Sequence, residues 1–184
     1  MSEFTTREEL LAGLAHILAS PSDEGVLEGI VTRPEKGQRV EVERCELSGK
    51  GGVAGDHWAK GSWKSTDDGQ PHPDVQVSLM NTRCLGLIAR ERNRWPLAGD
   101  NLLVDLNLSP ENAPPGQRIA VGNAIIEITD IPHMACASFI ERYGRDAGVF
   151  VNTGDGRTHM LRGRLGRIVQ DGLVSVGDRV VKLD

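Results

Sequence analysis

Apolar and polar positions follow one another along the chain in two rhythms, and the change between them marks out the elements. Leu10, Leu11, Leu14, Ile17 and Leu18 recur at the spacing of one helix face. Thr5 or Thr6 can cap that helix, with Glu8 and Glu9 in its first turn. Ser20-Pro21-Ser22 ends it, because a proline pushes the residue before it out of the helical region. From Gly25 the period falls to two. Residues 26–32 and 38–47 alternate as strands of a half-buried sheet do, with turn chemistry at Pro34-Glu35-Lys36-Gly37 between them. Residues 49–73 form a long, polar, glycine-rich stretch, and loops of that length in compact domains are functional or disordered.

Residues 75–79 read as a third strand. Asn81 or Thr82 then caps a second helix to about Arg94 that buries Leu85, Leu87 and Ile88 and is closed by Trp95-Pro96. Strand-like pieces follow at 102–106, 118–121 and 124–129, then two short helical pieces at 138–143 and 146–152, broken at Gly144. The tail reads as three strands, 165–169, 172–174 and 179–183, with corners at Asp171-Gly172 and Gly177-Asp178. Many short strands with helices early, midway and late predict a mainly β fold with helical inserts, an α+β barrel carrying an N-terminal helix. The expected organisation is a helix and linker over residues 1–24 and one barrel domain over 25–184. A Rossmann-type sheet is disfavoured because strands and helices do not alternate.

Composition narrows the function classes. At 184 residues, with 39% hydrophobic and 26% charged side chains, the chain reads as one soluble globular domain. Its 21 basic and 26 acidic residues give a net charge of −5, which argues against general nucleic-acid binding. No run approaches the ~18 apolar residues of a membrane helix. Glu3, Arg7, Glu8 and Glu9 do not fit a signal peptide. Three well-separated cysteines, Cys45, Cys84 and Cys136, make no disulfide framework, so a reducing cytoplasm is the expected location.

The dinucleotide, phosphate-loop, zinc-protease and nucleophile-elbow motifs are all missing. His57 and His72 flank a loop with Asp56, Asp67, Asp68 and Asp74, but the irregular spacing fits a solvated loop as well as a metal site. More informative is Ile131-Pro132-His133-Met134-Ala135-Cys136. It places a cysteine near a helix start with a histidine upstream, an environment that favours the thiolate, the nucleophilic and soft-metal-ligating form. A cysteine flanked by alanines also fits a small buried hydrophobe. Residues 142–167 hold Arg142, Arg145, Arg157, Arg162, Arg164 and Arg167 against Asp146 and Asp155. This local basic island suits an anionic ligand or a solvated face. The turns Gly55-Asp56-His57 and Gly99-Asp100-Asn101 can each bond their own backbone or present a side chain to a pocket.

In their order, these pieces resemble the MOSC domain, the C-terminal domain family of molybdenum cofactor sulfurases. The resemblance rests on Gly52-Val53-Ala54-Gly55-Asp56-His57, Val75-Gln76-Val77-Ser78-Leu79, Ala98-Gly99-Asp100-Asn101-Leu102, Arg118-Ile119-Ala120-Val121-Gly122, the segment from Pro132 to Cys136, Leu161-Arg162-Gly163-Arg164 and Gly177-Asp178-Arg179-Val180. It implies a MOSC-type β-barrel and molybdenum-cofactor (molybdopterin) or sulfur chemistry. Cys136 corresponds to the family's shared cysteine, the metal ligand in cofactor-bearing members. On this reading Cys136, His133, Asp56 and His57 are the catalytic set, and Asn101, Arg142, Arg162 and Arg164 bind the cofactor and its phosphate.

The resemblance also implies a pterin or small anion as ligand, a redox or sulfur-donor protein as partner, and reduction of N-hydroxylated compounds or cofactor sulfuration as activities. A non-catalytic cofactor or anion carrier, and a cofactor-free interaction protein, are the alternatives. His133 stands where many members have arginine and Ala135 where they have proline, so the segment is closer to a subgroup of short bacterial proteins with Pro-His-x-x-Cys. Pyridoxal phosphate attaches to full sulfurases through a separate domain for which this chain has no room, so that cofactor would come by family name only.

Overall fold

A computed structural model describes residues 4–184; Met1 to Glu3 of the expected N-terminal segment lie outside the described residues. Helix α1 (Arg7–Leu18) begins at Thr6, whose hydroxyl accepts from the Glu9 N–H while the Glu9 carboxylate accepts from the Thr6 N–H. This reciprocal cap satisfies two of the donors that a helix start leaves open. Leu10 and Ile17 are buried, whereas Leu11 and Leu18 of the expected apolar face are exposed.

Seven strands close a mixed barrel. Around it run β1 (Gly25–Thr32), β11 (Arg179–Leu183), β7 (Arg118–Val121), β8 (Ala124–Ile128), β9 (Arg164–Gln170), β5 (Val77–Asn81) and β6 (Leu102–Asp105), which returns to β1. All neighbours are antiparallel except β5 and β6, which need the crossover between them. A short β2 (Val40–Val42) pairs with the end of β1, and a small sheet of β10 (Gly172–Ser175), β3 (Arg44–Ser48) and β4 (Gly52–Val53) adds Cys45, Leu47, Val53 and Val174 to the barrel core.

The expected single strand over 38–47 is therefore two, in different sheets. Val40 and Val42 share one parity and Cys45 and Leu47 the other, so the chain changes sheet at Glu43-Arg44. The long loop over 49–73 is ordered, carrying β4, a 3₁₀ turn at Trp58–Lys60 and a bridge between Ser65 and Pro71. The second helix is shorter than expected. α2 (Thr82–Ala89) starts at Asn81, whose side chain accepts from the Cys84 N–H, and stops where Arg90 takes a left-handed backbone; a 3₁₀ stretch, Arg92–Ala98, follows. α3 (Ala137–Tyr143) and α4 (Arg145–Asn152) break at Gly144 as expected, and α5 (Gly154–Thr158) is an addition.

The helices cover one side of the barrel. Leu79, Leu102 and Val104 point into it, while Met80, Leu103 and Val31 point outward into a second core with Leu85, Phe139 and Tyr143. Burial on both faces explains why apolar residues occupy adjacent positions, Leu79-Met80 in β5 and Leu102-Leu103-Val104 in β6. No helix among the described residues is long and apolar enough to cross a membrane.

Candidate functional site

The end of β1 and the starts of β5 and β6 meet at one mouth of the barrel. Arg33 follows β1 directly, Ser78 lies at the start of β5 and Asn101 precedes β6. The turn after β4 brings Asp56 and His57 there, because the Arg33 carbonyl accepts from both the backbone N–H and Nδ1 of His57, at 2.8 and 2.7 Å. Asp56 is buried and accepts five hydrogen bonds: from Arg33 Nε (2.7 Å), Nη2 (3.1 Å) and backbone N–H (3.0 Å), Trp58 N–H (3.1 Å) and Asn101 Nδ2 (3.0 Å). Burial alone would push this carboxyl up, but the Arg33 fork and the Trp58 and Asn101 donors outweigh it and hold it below the usual range. Asn101 is fully engaged as well. Its oxygen accepts from Arg33 and Ser78, and its amide nitrogen donates to Val31 and Asp56. These contacts make Asn101 the strut between three strands.

A second buried group adjoins the first. Arg162 Nη1 donates to Asp100 Oδ2 at 2.7 Å, Nη2 reaches the Ala98 carbonyl, and the guanidinium stacks over Phe139 at 4.8 Å. His133 Nδ1 lies 3.6 Å from Asp100 Oδ1, and both atoms are buried without a hydrogen-bond partner. Burial pushes the Asp100 carboxyl up against the opposing charges of Arg162 and Arg33. Burial, Arg162 and Arg33 together hold the His133 imidazole well below the histidine range, so the ring is neutral.

Cys136 precedes α3 and is exposed, whereas Cys45 and Cys84 are buried, their thiols pushed up to about 11 and about 12 by burial. Arg142, in the last turn of α3, donates to the Leu97 carbonyl at 2.8 Å. Between the two clusters opens a cleft of about 110 Å³ lined by Arg33, His57, Trp58, Trp63, Ser78 and His133. Trp63 is 72% exposed at its lip. Larger surface hollows of about 520 Å³ touch none of these groups.

The structure thus brings Asp56, His57, Asn101, His133 and Arg162 together and sets Cys136 just before, and Arg142 in, the helix α3 whose Phe139 ring lies under Arg162. Arg164 lies apart. It faces Leu79 across the β5–β9 ladder and donates to the Leu108 carbonyl at 3.3 Å, next to the barrel core. Gly163 separates it from Arg162 with φ of +102°, and a Cβ there would sit 2.1 Å from the Leu79 carbonyl oxygen, so only glycine allows this reversal. The basic island disperses likewise, with Arg167 pairing Glu127 and Asp74 and Arg157 reaching the Met134 sulfur.

Sequence reasoning passed over Arg33, Arg39 and Trp63, and left Asp100 as an undecided turn. Arg39 packs against Gly99, with its Nε buried and without a partner. Burial and the charges of Arg142 and Arg33 lower its pKa. The one available signal was an arginine directly after a strand, ahead of a turn.

The family model described as MOSC domain matches residues 68–181. No curated protein matches the chain. Among solved structures, the YuaD protein from Bacillus subtilis is 15% identical, covering 86% of this chain and 94% of its own, with a TM-score of 0.58. YiiM from Escherichia coli is 20% identical, covering 86% of this chain and 70% of its own, with a TM-score of 0.55. A structure described as a hypothetical protein is 19% identical, covering 88% and 70%, with a TM-score of 0.60. At these identities the likeness is one of fold.

Proposed function

Because the chain belongs to the MOSC domain family, we propose that it binds the molybdenum cofactor at the barrel mouth, with Cys136 as thiolate donor to the metal and Arg39 and Arg142 meeting the phosphate. Arg39 carries this reading. It is a half-buried guanidinium whose Nε has no partner, beside two other arginines, and no carboxylate pairs with it or with Arg142 among the described residues. Arg33 and Arg162, by contrast, are neutralised by Asp56 and Asp100. An unmet cation of that kind suits a phosphate, which a guanidinium fork binds in pairs.

The donor set fits such a cofactor. No three His, Cys, Asp or Glu side chains converge on a metal position among the described residues, so a metal held by Cys136 would have to bring its other ligands with it, as a pterin dithiolene does. Cys136 and Arg142 stand six residues apart, about 9 Å along a helix. The bound group would supply two-electron redox chemistry or sulfur and oxygen transfer. The chain would supply the thiolate, the phosphate contacts and the cleft beside them.

The test is expression in a host that makes the cofactor, with molybdenum measured by mass spectrometry and pterin by fluorescence after oxidation. Near-stoichiometric metal and pterin, lost in Cys136→Ala and reduced in Arg39→Ala, are expected. Reduction of N-hydroxylated compounds is then the activity to assay. Metal and pterin missing even after incubation with free cofactor would overturn the reading and turn attention to sulfur carriage on the exposed thiol.

A further inference from the structure

Both imidazoles that line the cleft set Nδ1 against an oxygen of the protein. His57 Nδ1 lies 2.7 Å from the Arg33 carbonyl oxygen. A carbonyl has no hydrogen to give, so this contact is a hydrogen bond only when Nδ1 carries the proton. His133 Nδ1 stands 3.6 Å from Asp100 Oδ1, too far for a formed bond, but each atom is buried without a hydrogen-bond partner, and the Ser78 hydroxyl is a further polar group near Asp100. The other oxygen of Asp100 is held by Arg162 at 2.7 Å, which fixes the carboxylate and leaves Oδ1 as the oxygen turned to the ring. A ring nitrogen facing a carboxylate oxygen favours the proton on that nitrogen. A neutral imidazole carries only one.

We propose that both rings are held as Nδ1–H tautomers, with Asp100 the positioning residue for His133, so that the cleft offers two bare Nε2 acceptors and recognises a small uncharged group that donates N–H bonds, of the amide class. The surroundings agree with an uncharged ligand. The charge of Arg33 is met by Asp56 and that of Arg162 by Asp100, and two tryptophans, Trp58 and the exposed Trp63, line the cleft. An anion would find two lone pairs here and a guanidinium already engaged by Asp56, Asn101 and Gly99. This inference rests on the proposed function only in taking the cleft as the substrate side of the site. Arg39 and Arg142, which no carboxylate pairs among the described residues, do not line this cleft.

The test uses the full chain labelled with ¹⁵N in its histidine rings, followed by long-range proton–nitrogen correlation at pH 8. Two rings with a protonated Nδ1 and a bare Nε2 are expected, assigned to His57 and His133 by His57→Gln and His133→Gln. Asp100→Asn should move the proton of His133 alone. Arg162 can only donate, so it keeps the amide oxygen; the Asn nitrogen then faces His133 Nδ1, which must accept, and the proton passes to Nε2.

Benzamide and benzoate, alike in shape and differing in the donor, serve as ligand probes read by the Nε2 resonances and by quenching of tryptophan fluorescence. Benzamide should bind at least about tenfold more tightly, and Asp100→Asn should erase that preference. A wild-type His133 protonated on Nε2, benzoate binding as tightly as benzamide, or no benzamide binding up to its solubility would each overturn the proposal. Should Asp100→Asn fail to fold, the wild-type tautomers and the probe pair still decide. None of these readouts depends on metal or pterin, so the two readings fail separately.

Discussion

Asp56 and Asp100 sit at the same mouth of the barrel, both with fully buried side chains and each bonded to one arginine at 2.7 Å, but the protein completes them differently. Asp56 receives five hydrogen bonds from Arg33, Trp58 and Asn101, and its carboxyl is held low. Asp100 receives one from Arg162, keeps an oxygen that nothing bonds, and is pushed up by burial. Burying a charge is unfavourable until its lone pairs are met. The charge on Asp56 therefore ties three strands and a loop together, whereas the charge on Asp100 is tolerated rather than used by the fold. A buried group left unsatisfied beside a cluster as fully bonded as that of Asp56 marks the place where structure yields to chemistry.

The contrast breaks most sharply at Asp56. Asp56→Ala should cost about 3–5 kcal/mol, because Arg33 and Asn101 lose their common acceptor and a largely buried cation stays behind. In a chain of this size that lowers the melting temperature on the order of 10 °C. Asp56→Asn keeps the shape but gives up charge-assisted bonds, and should still cost about 1–3 kcal/mol. Urea and thermal unfolding measure both, and an Asp56→Asn protein as stable as wild type would contradict the tie assigned to it.

Acid probes the other cluster. Asp100, Arg162 and Arg33 are the charged groups around His133, and its native pKa is depressed. Unfolded, the ring takes up a proton near pH 6.5. Below that pH the unfolded state binds more protons than the native one, so stability falls as pH falls, by up to about 1.4 kcal/mol per unit. Asp56, also depressed, adds a loss in the same direction once pH drops below its unfolded value of about 3.9. Asp100, raised, acts oppositely: between its unfolded and native values the native state binds the proton first, and acidification there recovers stability. Unfolding curves from pH 7 to 5 should show a slope that His133→Gln flattens; an equal slope in that variant would remove His133 as its source.

Much of the barrel was legible because strand periodicity is local. Residues 118–121, with Ile119 and Val121 buried, emerge as expected, and even the break inside 38–47 is written in the parity shift from Val40 and Val42 to Cys45 and Leu47. The site was legible only in part. Asp56, His57, Asn101, His133 and Arg162 meet across the barrel mouth, but the partners that give them meaning come from far along the chain: Arg33 lies 23 residues from Asp56 and 68 from Asn101, and Asp100 lies 62 from Arg162. Barrel closure decides such meetings, and no local pattern reports it. The arginine island shows the converse error. Arg162 and Arg164 are neighbours in sequence, yet the left-handed Gly163 sends one to Asp100 and the other toward Leu108.

The smallest expected effect sharpens the comparison furthest. Asp100→Asn should change stability by less than about 1 kcal/mol, well short of the loss for the same change at Asp56. A carboxyl whose pKa is raised already resists its charge in the fold, so removing that charge relieves a desolvation cost while the amide oxygen keeps the bond to Arg162. Arg162 does not become an isolated cation, since the Ala98 carbonyl and the Phe139 ring still face it. Equal losses at the two positions would mean that Asp100 is a structural tie like Asp56 and that its unbonded oxygen carries no special role. A near-neutral Asp100→Asn that nonetheless reverses the His133 tautomer would separate the two carboxylates by function, because a group the fold can spare is then kept for what it does to its neighbour.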